Sequence, residues 1–97
     1  MNDGYKTDNF FFSVLLAYTY GMESLLIVDI TSRPEFQWDI PSMDAAILLE
    51  EWQQDKVTVY AKAFSNAHSA LTQKVRDVRQ SGSKVYASPA WVAGRGR

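Results

Sequence analysis

Apolar positions are densest near the start of the chain, where residues 9–22 carry no charge. Within this run, apolar side chains recur at three- and four-residue spacing, which is typical of a helix. Thr7-Asp8-Asn9 offers N-cap oxygens before the run, and Gly21 offers a left-handed stop after it. We therefore predict a helix over 10–20, although Phe and Val would also suit a strand over 10–14.

Phe10, Phe11 and Phe12 open this predicted helix. Three consecutive helical side chains cannot all point toward one core, because successive residues lie about 100° apart around the axis. We expect the block to be the nucleus of the core. We expect Phe10, at the helix start, to be partly exposed.

Two strands are predicted next. Residues 25–30 are apolar on both faces apart from Asp29, as in a strand that is covered on both sides. Residues 35–40 alternate strictly, which is typical of a half-exposed strand. Their apolar face consists of Phe36, Trp38 and Ile40. The two segments predict an antiparallel hairpin over about 24–30 and 35–40.

Two more helices follow in the predicted order. Pro41 and Ser42 suit the first turn of a helix over about 43–54. Its predicted buried stripe consists of Ala45, Leu48, Leu49 and Trp52, with Met43 and Ile47 flanking it. A short strand or extended connector over 56–60 leads to a helix over about 61–80. The apolar stripe of that helix consists of Phe64, His68, Leu71, Val75 and Val78.

The pattern as a whole predicts an α+β fold, with a small antiparallel sheet packed by three helices in the order α-β-β-α-(β)-α. Residues 1–80 form the predicted domain, with the polar start 1–6 frayed. The break Gln80-Ser-Gly-Ser83 separates it from a flexible basic C-terminal tail, 81–97. Residues 84–87 would pair as an edge strand before Pro89 interrupts them.

Composition narrows the class of protein. The chain has 97 residues, 46% of them hydrophobic, and no cysteine, which excludes disulfides, thiolate metal sites and cysteine nucleophiles. The uncharged run 9–22 is shorter than the roughly 20 apolar residues of a membrane span, and the N-terminus lacks the pattern of a signal peptide. We expect a cytoplasmic protein that does not contact the membrane.

Charge divides the chain into two unequal parts. Residues 1–61 carry three basic and ten acidic side chains, whereas residues 62–97 carry seven basic and one acidic side chain. The formal net charge of −1 conceals this division. Such asymmetry suggests that one end of the chain meets a charged partner.

The sequence offers little for catalysis or cofactor binding. His68 is the single histidine, and Ser13, Ser65 and Ser69 have no nucleophile-elbow context for a hydrolytic triad. Asp29 and Asp39, on neighbouring predicted strands, would suit Mg²⁺ only in a favourable register, and solvation or pairing with Arg33 is the simpler interpretation. The glycines match no phosphate-loop spacing. We predict no enzymatic activity, no metal site and no cofactor.

Nucleic acid is the partner that the basic end favours. Lys and Arg side chains near phosphates release counterions, and aromatic side chains among them stack on unpaired bases. The predicted nucleic-acid-binding residues are Lys62, Lys74, Arg76, Arg79, Lys84, Tyr86, Trp91, Arg95 and Arg97. The partner would be single-stranded nucleic acid or a nucleoprotein complex. A pI near 5.7 argues against a dedicated binder, and a solvated helix face and tail would also explain these charges.

A protein–protein interaction module is the alternative prediction. The acidic second helix and the basic third helix would pair within the domain or between subunits. Trp91 and Val92 would anchor the tail on a neighbour. The protein would then be an adaptor, an inhibitor or a homo-oligomer with a host or phage partner.

Residues 5–80 resemble a small family of unknown function that occurs in bacteria and their phages. The opening Tyr5-Lys-Thr-Asp-Asn9 with Ser13–Gly21 is similar to the family's aromatic-x-Thr start and its helix ending in Gly. The strand 25–30, the aromatic strand around Phe36-Gln-Trp38 and a closing helix near Phe64 follow in the same order. The resemblance implies a phage or mobile-element protein without known enzymatic activity, and it supplies no catalytic residues.

Overall fold

A computed structural model describes residues 4–30, 34–81 and 84–86, the last three and residue 81 by their backbone. The described elements are β1 (Tyr5–Thr7), α1 (Phe10–Tyr20), a 3-10 turn (Met22–Ser24), β2 (Leu25–Asp29), β3 (Glu35–Trp38), α2 (Ser42–Gln53), α3 (Ala61–Ser81) and β4 (Lys84–Tyr86). The strands form an antiparallel sheet in the order β1-β3-β2-β4. The predicted α+β fold, with three helices packed on a small antiparallel sheet, is confirmed.

The predicted hairpin is formed by β2 and β3. Glu35 pairs with Asp29 and Phe36 with Val28. The alternating face of β3 is buried, since Phe36 and Trp38 are fully inaccessible. A register shift lies between Leu25 and Ile27. Because of this bulge, the two buried residues of β2, Leu25 and Val28, are three positions apart instead of two.

Helix α1 has the predicted bounds because both of its ends are capped. The Asn9 Oδ1 accepts the backbone N–H of Phe12 at 3.0 Å, as an N-cap side chain does. At the other end Gly21 donates its N–H to the Ala17 carbonyl and has φ 92° and ψ 151°. The positive φ agrees with the prediction, but this ψ places Gly21 outside the left-handed helical region, in a region that essentially only glycine adopts.

Helix α1 lies at the centre of the core, where it contacts β1, α2 and α3. Residues 12–17 are all buried. The ring of Phe12 stacks on Trp52 of α2 at 5.5 Å and meets Tyr5 of β1 edge-on at 5.9 Å. Tyr18 contacts Phe64 of α3 at 5.9 Å. A helix that is apolar all round is expected in such a position.

The three phenylalanines at the start of α1 occupy different environments. Phe12 is inaccessible, Phe10 is half-buried as predicted, and Phe11 is 60% exposed. The most exposed of the three is therefore Phe11 rather than Phe10. Residues 12–17 are buried all round the axis, so Phe11 is exposed because it lies in the first turn of α1, before the buried segment begins.

The element order differs from the prediction at two places. Tyr5 and Lys6, at the end of the segment predicted to be frayed, form strand β1 together with Thr7, and β1 pairs with β3 through Tyr5 and Trp38. Residues 56–60 form no strand and connect α2 to α3. The order among the described residues is therefore β-α-β-β-α-α-β. A three-residue strand is too short to show a period of its own, which explains why β1 was not predicted.

Strand β4 lies within the segment predicted to be a tail. Lys84 pairs with Asp29 and Tyr86 with Ile27, so β4 extends the sheet at the free edge of β2. This is the edge strand that residues 84–87 predicted. Residues 87–97 lie outside the described part of the chain, and the division into a domain and a flexible tail remains a prediction.

Helices α2 and α3 bury most of the predicted stripes. Leu71, Val75 and Val78 of α3 are buried, and Phe64 and His68 are half-buried. In α2, Ala45 is buried, but Met43 and Ile47 are 75% and 54% exposed. Their predicted place beside the core is wrong, because both lie on the side of α2 opposite Ala45. No helix among the described residues is long and apolar enough to cross a membrane.

Candidate functional site

One side of α3 presents two arginines to solvent. Arg76 and Arg79 are exposed and three residues apart, so they are neighbours on the helix surface. Thr72 lies one turn before Arg76, and His68 lies one turn before Thr72. We call the row formed by His68, Thr72, Arg76 and Arg79 the arginine flank of α3. It borders the buried stripe on the side that faces the start of α1.

A cavity of about 420 Å³ lies between the arginine flank, the start of α1 and the start of β3. We call it the Phe10 cavity. It is lined by Asp8, Phe10, Pro34, Phe36, Thr72, Val75, Arg76 and Arg79. Phe36 is fully buried and Val75 is 9% exposed, so the floor is apolar, while the arginines supply a polar rim. Its volume is within the range of about 300–1,000 Å³ that is usual for ligand pockets.

The Phe10 ring is fixed in the wall of this cavity by its neighbours. Its centroid lies 6.1 Å from that of Phe36 and 5.3 Å from that of His68, which it meets edge-on at 87°. Phe11 also contacts it edge-on at 5.7 Å. The Asn9 cap sets the direction in which α1 begins, and therefore the direction of Phe10. Local capping and packing together preorganise an aromatic wall beside the arginines.

A second depression, of about 340 Å³, adjoins the first along α3. We call it the His68 depression. It is lined by His68, Ser69, Thr72, Gln73 and Arg76, so it shares Thr72 and Arg76 with the Phe10 cavity. The Gln73 Nε2 donates to the Asp77 Oδ1 at 2.9 Å, and Phe11 lies 6.1 Å from His68. Its lining is polar, in contrast to the apolar floor of the Phe10 cavity.

The charge of the Phe10 cavity rim favours anions. Two guanidinium groups, on Arg76 and Arg79, share the lining with one carboxylate, on Asp8. Guanidinium groups match phosphate and carboxylate oxygens with paired N–H donors. The cavity is therefore suited to a ligand that combines an anionic group with a flat or apolar body.

The structure separates the other predicted basic residues of α3 from this pair. Lys62 is exposed but lies 14 residues before Arg76, about 21 Å along the helix axis. Lys74 is half-buried and lies about 160° around the axis from Arg76, on the opposite flank. Of the four predicted binding residues in α3, the structure thus brings Arg76 and Arg79 together and leaves Lys62 and Lys74 apart.

The remaining predicted binding residues lie in or beyond β4. Lys84 and Tyr86 are in the edge strand, where their backbones pair with Asp29 and Ile27. Trp91, Arg95 and Arg97 lie outside the described residues. For these five positions the nucleic-acid contact stays a prediction.

The carboxylates considered for Mg²⁺ do not converge. Asp29 lies opposite Glu35 at the start of β3, whereas Asp39 follows the end of β3 and donates its backbone N–H to the Ser24 carbonyl. Four residues of extended chain separate the two ends, roughly 13 Å. Within the described residues no three acidic, histidine or cysteine side chains are grouped to hold a metal ion.

A second surface feature is the outer face of α2. Met43 and Ile47, one turn apart, are exposed there. Asp44, Glu50 and Glu51 of the same helix are also exposed, so this apolar pair is surrounded by carboxylates. We call this set the α2 outer face. It is far less suited to a polyanion than the arginine flank.

Several lining residues of the Phe10 cavity were not predicted as part of a site. Phe10 and Phe36 were assigned to packing, and Asp8 to capping. Each comes from a different element from Arg76, and the local pattern gives no sign that they converge. The partial exposure predicted for Phe10 was the only indication of a site in the sequence, because a half-exposed aromatic side chain in an apolar block offers a surface for another group to contact.

Comparison of the chain with protein-family models, with curated proteins and with solved structures finds no match. The resemblance to a bacterial and phage family therefore remains a prediction from the sequence. Functional assignment depends on the geometry of the described residues.

Proposed function

We propose that the protein is a non-enzymatic binding protein, of phage or mobile-element type, that contacts single-stranded nucleic acid or a nucleoprotein complex. The contact is made by the basic C-terminal half of α3 and by the residues after it. The observation that carries the proposal is the placement of Arg76 and Arg79 beside an aromatic-walled cavity of about 420 Å³. The phage or mobile-element context comes from the sequence resemblance alone.

The chemistry of this site fits the two components of a nucleotide. Arginine side chains bind phosphate oxygens and release condensed counterions, which supplies most of the sequence-independent affinity. An aromatic ring such as Phe10 offers a face or edge for an unpaired base, and base–aromatic stacking contributes about 1–3 kcal/mol per base. A paired base has no free face for such a contact, so the site favours single strands over duplexes.

The acidic remainder of the protein limits where a polyanion binds. Residues 1–61 carry ten acidic side chains against three basic ones. At physiological ionic strength the Debye length is about 8 Å, so carboxylates on the far side of the molecule are largely screened at the arginine flank. Asp8 is different, because it lines the same cavity as the two arginines. Binding is therefore local and of modest affinity.

Salt-dependent anisotropy of a labelled oligothymidylate or oligouridylate tests the proposal. We expect binding at about 50 mM NaCl that weakens linearly on a log–log plot. Arg76→Gln with Arg79→Gln should weaken it at least about tenfold. It should also reduce the magnitude of the salt slope by about 1.4, since each single-strand phosphate contact contributes about 0.7.

Lys56→Gln is the matched control, because Lys56 is an exposed cation in the connector before α3. It should leave both the affinity and the slope nearly unchanged. Absence of binding at low salt, or an equal loss in the control, would contradict the proposal.

A protein-interaction module is the second candidate, and the α2 outer face is the observation that favours it. Met43 and Ile47 expose apolar surface among carboxylates, which suits a partner with an apolar patch bordered by Lys or Arg. Trp91 would add a tail anchor. Light scattering of the full chain against Met43→Ser with Ile47→Ser tests self-association: a smaller mass in the variant supports it, and an identical monomeric mass excludes it.

A further inference from the structure

The two depressions on the arginine flank are adjacent and share two side chains. Thr72 and Arg76 line both the Phe10 cavity and the His68 depression. Arg79 lines only the Phe10 cavity, and His68 lines only the His68 depression. The two cavities therefore adjoin at Thr72 and Arg76, and we call them together the groove.

We infer that this groove receives two consecutive nucleotides of a single strand, one base in each depression, with the phosphate between them on Arg76. This inference rests on the proposed nucleic-acid function and deepens it. It divides the site into an Arg79 end and a His68 end.

The length of the groove accommodates more than one nucleotide. His68 and Arg79 are 11 residues apart, which corresponds to about 17 Å along the axis of α3. Stacked nucleotides advance by about 3.4 Å per step along one strand, so the groove is several steps long. A single nucleotide would therefore leave one end of the groove empty.

The lining of the two depressions predicts different preferences for the two bases. In the Phe10 cavity the half-buried Phe10 and the edge of Val75, above the inaccessible Phe36, give a base van der Waals contact without reading its polar edge. The His68 depression instead presents the hydroxyls of Ser69 and Thr72 and the amide of Gln73. Hydroxyl and amide groups can donate to and accept from base edges. The first base is thus held with little selectivity, and the second is read by hydrogen bonds.

Aromatic contacts support the His68 end of the groove. The His68 ring lies 5.3 Å from Phe10 and 6.1 Å from Phe11. Because Phe11 is 60% exposed, it remains accessible beside His68. Histidine and phenylalanine rings both stack on unpaired bases in single-strand recognition. The pair would hold the second base at the polar depression.

Calorimetry with 5′-phosphorylated thymidine mono-, di- and trinucleotides tests this inference on the full chain. Affinity should rise at least about tenfold from one to two nucleotides, because linked contacts reinforce each other. It should rise by less than about threefold from two to three. Arg76→Gln should remove most of the gain from the second nucleotide. Lys56→Gln, an exposed change in the connector before α3 and outside the groove, should preserve it.

Phe11→Ala provides a second measurement at the His68 end. It should lower dinucleotide affinity severalfold and leave mononucleotide affinity unchanged. Amide NMR shifts at Ser69 and Gln73 should respond to the dinucleotide but not to the mononucleotide. Long single strands that bind while mono- and dinucleotides bind equally would overturn the two-nucleotide inference and leave the proposed function intact. Absence of binding by every strand, long or short, would overturn both.

Discussion

The buried indole of Trp38 depends on a single side chain of α1. The Trp38 Nε1–H donates to the Ser13 Oγ at 3.4 Å, and both residues are fully inaccessible. A buried donor without an acceptor costs about 1–3 kcal/mol. Ser13 therefore has a structural role, although serine is a poor choice for the interior of a helix.

Ser13→Ala should lower the free energy of unfolding by about 1–2 kcal/mol. The lost acceptor would cost more than the few tenths of a kcal/mol gained from the higher helix propensity of alanine. Urea denaturation measures the change. Ser65→Ala is the matched control, because Ser65 is an exposed helical serine and its replacement should be neutral or slightly stabilising. Equal effects of the two substitutions would show that the indole hydrogen bond contributes nothing.

Gly21 ends α1 in a conformation that other residues rarely adopt. Its φ is 92° and its ψ is 151°, and an added Cβ would lie 2.6 Å from the Glu23 Oε1. Glu23 is exposed, so its carboxylate can move away from the new methyl group. The backbone conformation itself costs about 1–3 kcal/mol for a residue with a Cβ.

Gly21→Ala should therefore destabilise the fold by about 1–3 kcal/mol in thermal or urea unfolding. Combining it with Glu23→Ala separates the two causes. The double variant should retain most of the loss, because the backbone strain persists when the carboxylate is removed. Full recovery of stability in the double variant would assign the effect to the steric contact instead.

Tyr5 of strand β1 makes the stability of the fold depend on pH. Burial raises the pKa of the Tyr5 phenol above its ordinary value, and a side-chain hydrogen bond with Thr7 lowers the pKa by less. Because the folded state holds this proton more tightly, the unfolded state ionises first as pH rises above about 10. The contribution of this group to stability is complete below that pH and is lost above it.

Replacing Tyr5 with Phe should flatten the alkaline decline of stability. The difference in unfolding free energy between wild type and Tyr5→Phe should be constant from about pH 7 to pH 9. Above about pH 10 the wild type should lose stability relative to Tyr5→Phe. Urea unfolding at matched pH values measures it, and the other tyrosines and lysines cancel in the comparison. Parallel curves up to about pH 11 would contradict the shift.

At the scale of elements, α3 has two flanks with different surroundings. The buried residues Leu71, Val75 and Val78 separate Lys74 from the arginine flank. A uniform basic helix would bind a polyanion on any side. The structure instead predicts that only the flank beside Phe10 contributes.

Lys74→Gln and Arg76→Gln should therefore affect nucleic-acid binding differently, although each removes one positive charge from the same part of α3. We expect a severalfold loss of oligothymidylate affinity for Arg76→Gln and less than about twofold for Lys74→Gln. Circular dichroism checks that both variants fold, since the stem of Lys74 is half-buried. Equal losses would indicate diffuse attraction to the whole helix.

The sequence predicted elements best where local signals agreed. Asn9 and Gly21 fixed both ends of α1, and the alternation around Phe36 fixed the buried face of β3. Strand β1 was missed because it depends on pairing with β3, thirty residues away, rather than on a pattern of its own. Ile47 was misplaced because its apolar character was given more weight than its position on the helix, which lies opposite Ala45 of the predicted stripe.

The sequence predicted the charge of the candidate site but not its shape. The cluster of basic residues in α3 pointed to Arg76 and Arg79, but sequence proximity did not show that Lys74 lies on the opposite flank of the helix. The cavity exists because α1, β3 and α3 converge, and the sequence order does not show that convergence. Phe10 and Phe36 became visible as lining residues only in three dimensions.

At the scale of the molecule, the charge division of the sequence has a spatial counterpart. The α2 outer face carries exposed carboxylates, whereas the arginine flank carries exposed guanidinium groups. A polyanion should therefore meet the protein in one orientation. We therefore propose that nucleic acid contacts this protein at the groove between α1, β3 and α3.

Mapping amide NMR shifts during titration with an oligothymidylate tests that claim most directly. We predict that the largest shifts cluster at Phe10, Thr72, Arg76 and Arg79. The α2 outer face, at Met43 and Ile47, should remain unaffected and serves as the internal control. Shifts centred on α2, or an absence of shifts throughout the groove while the oligonucleotide binds, would contradict the account.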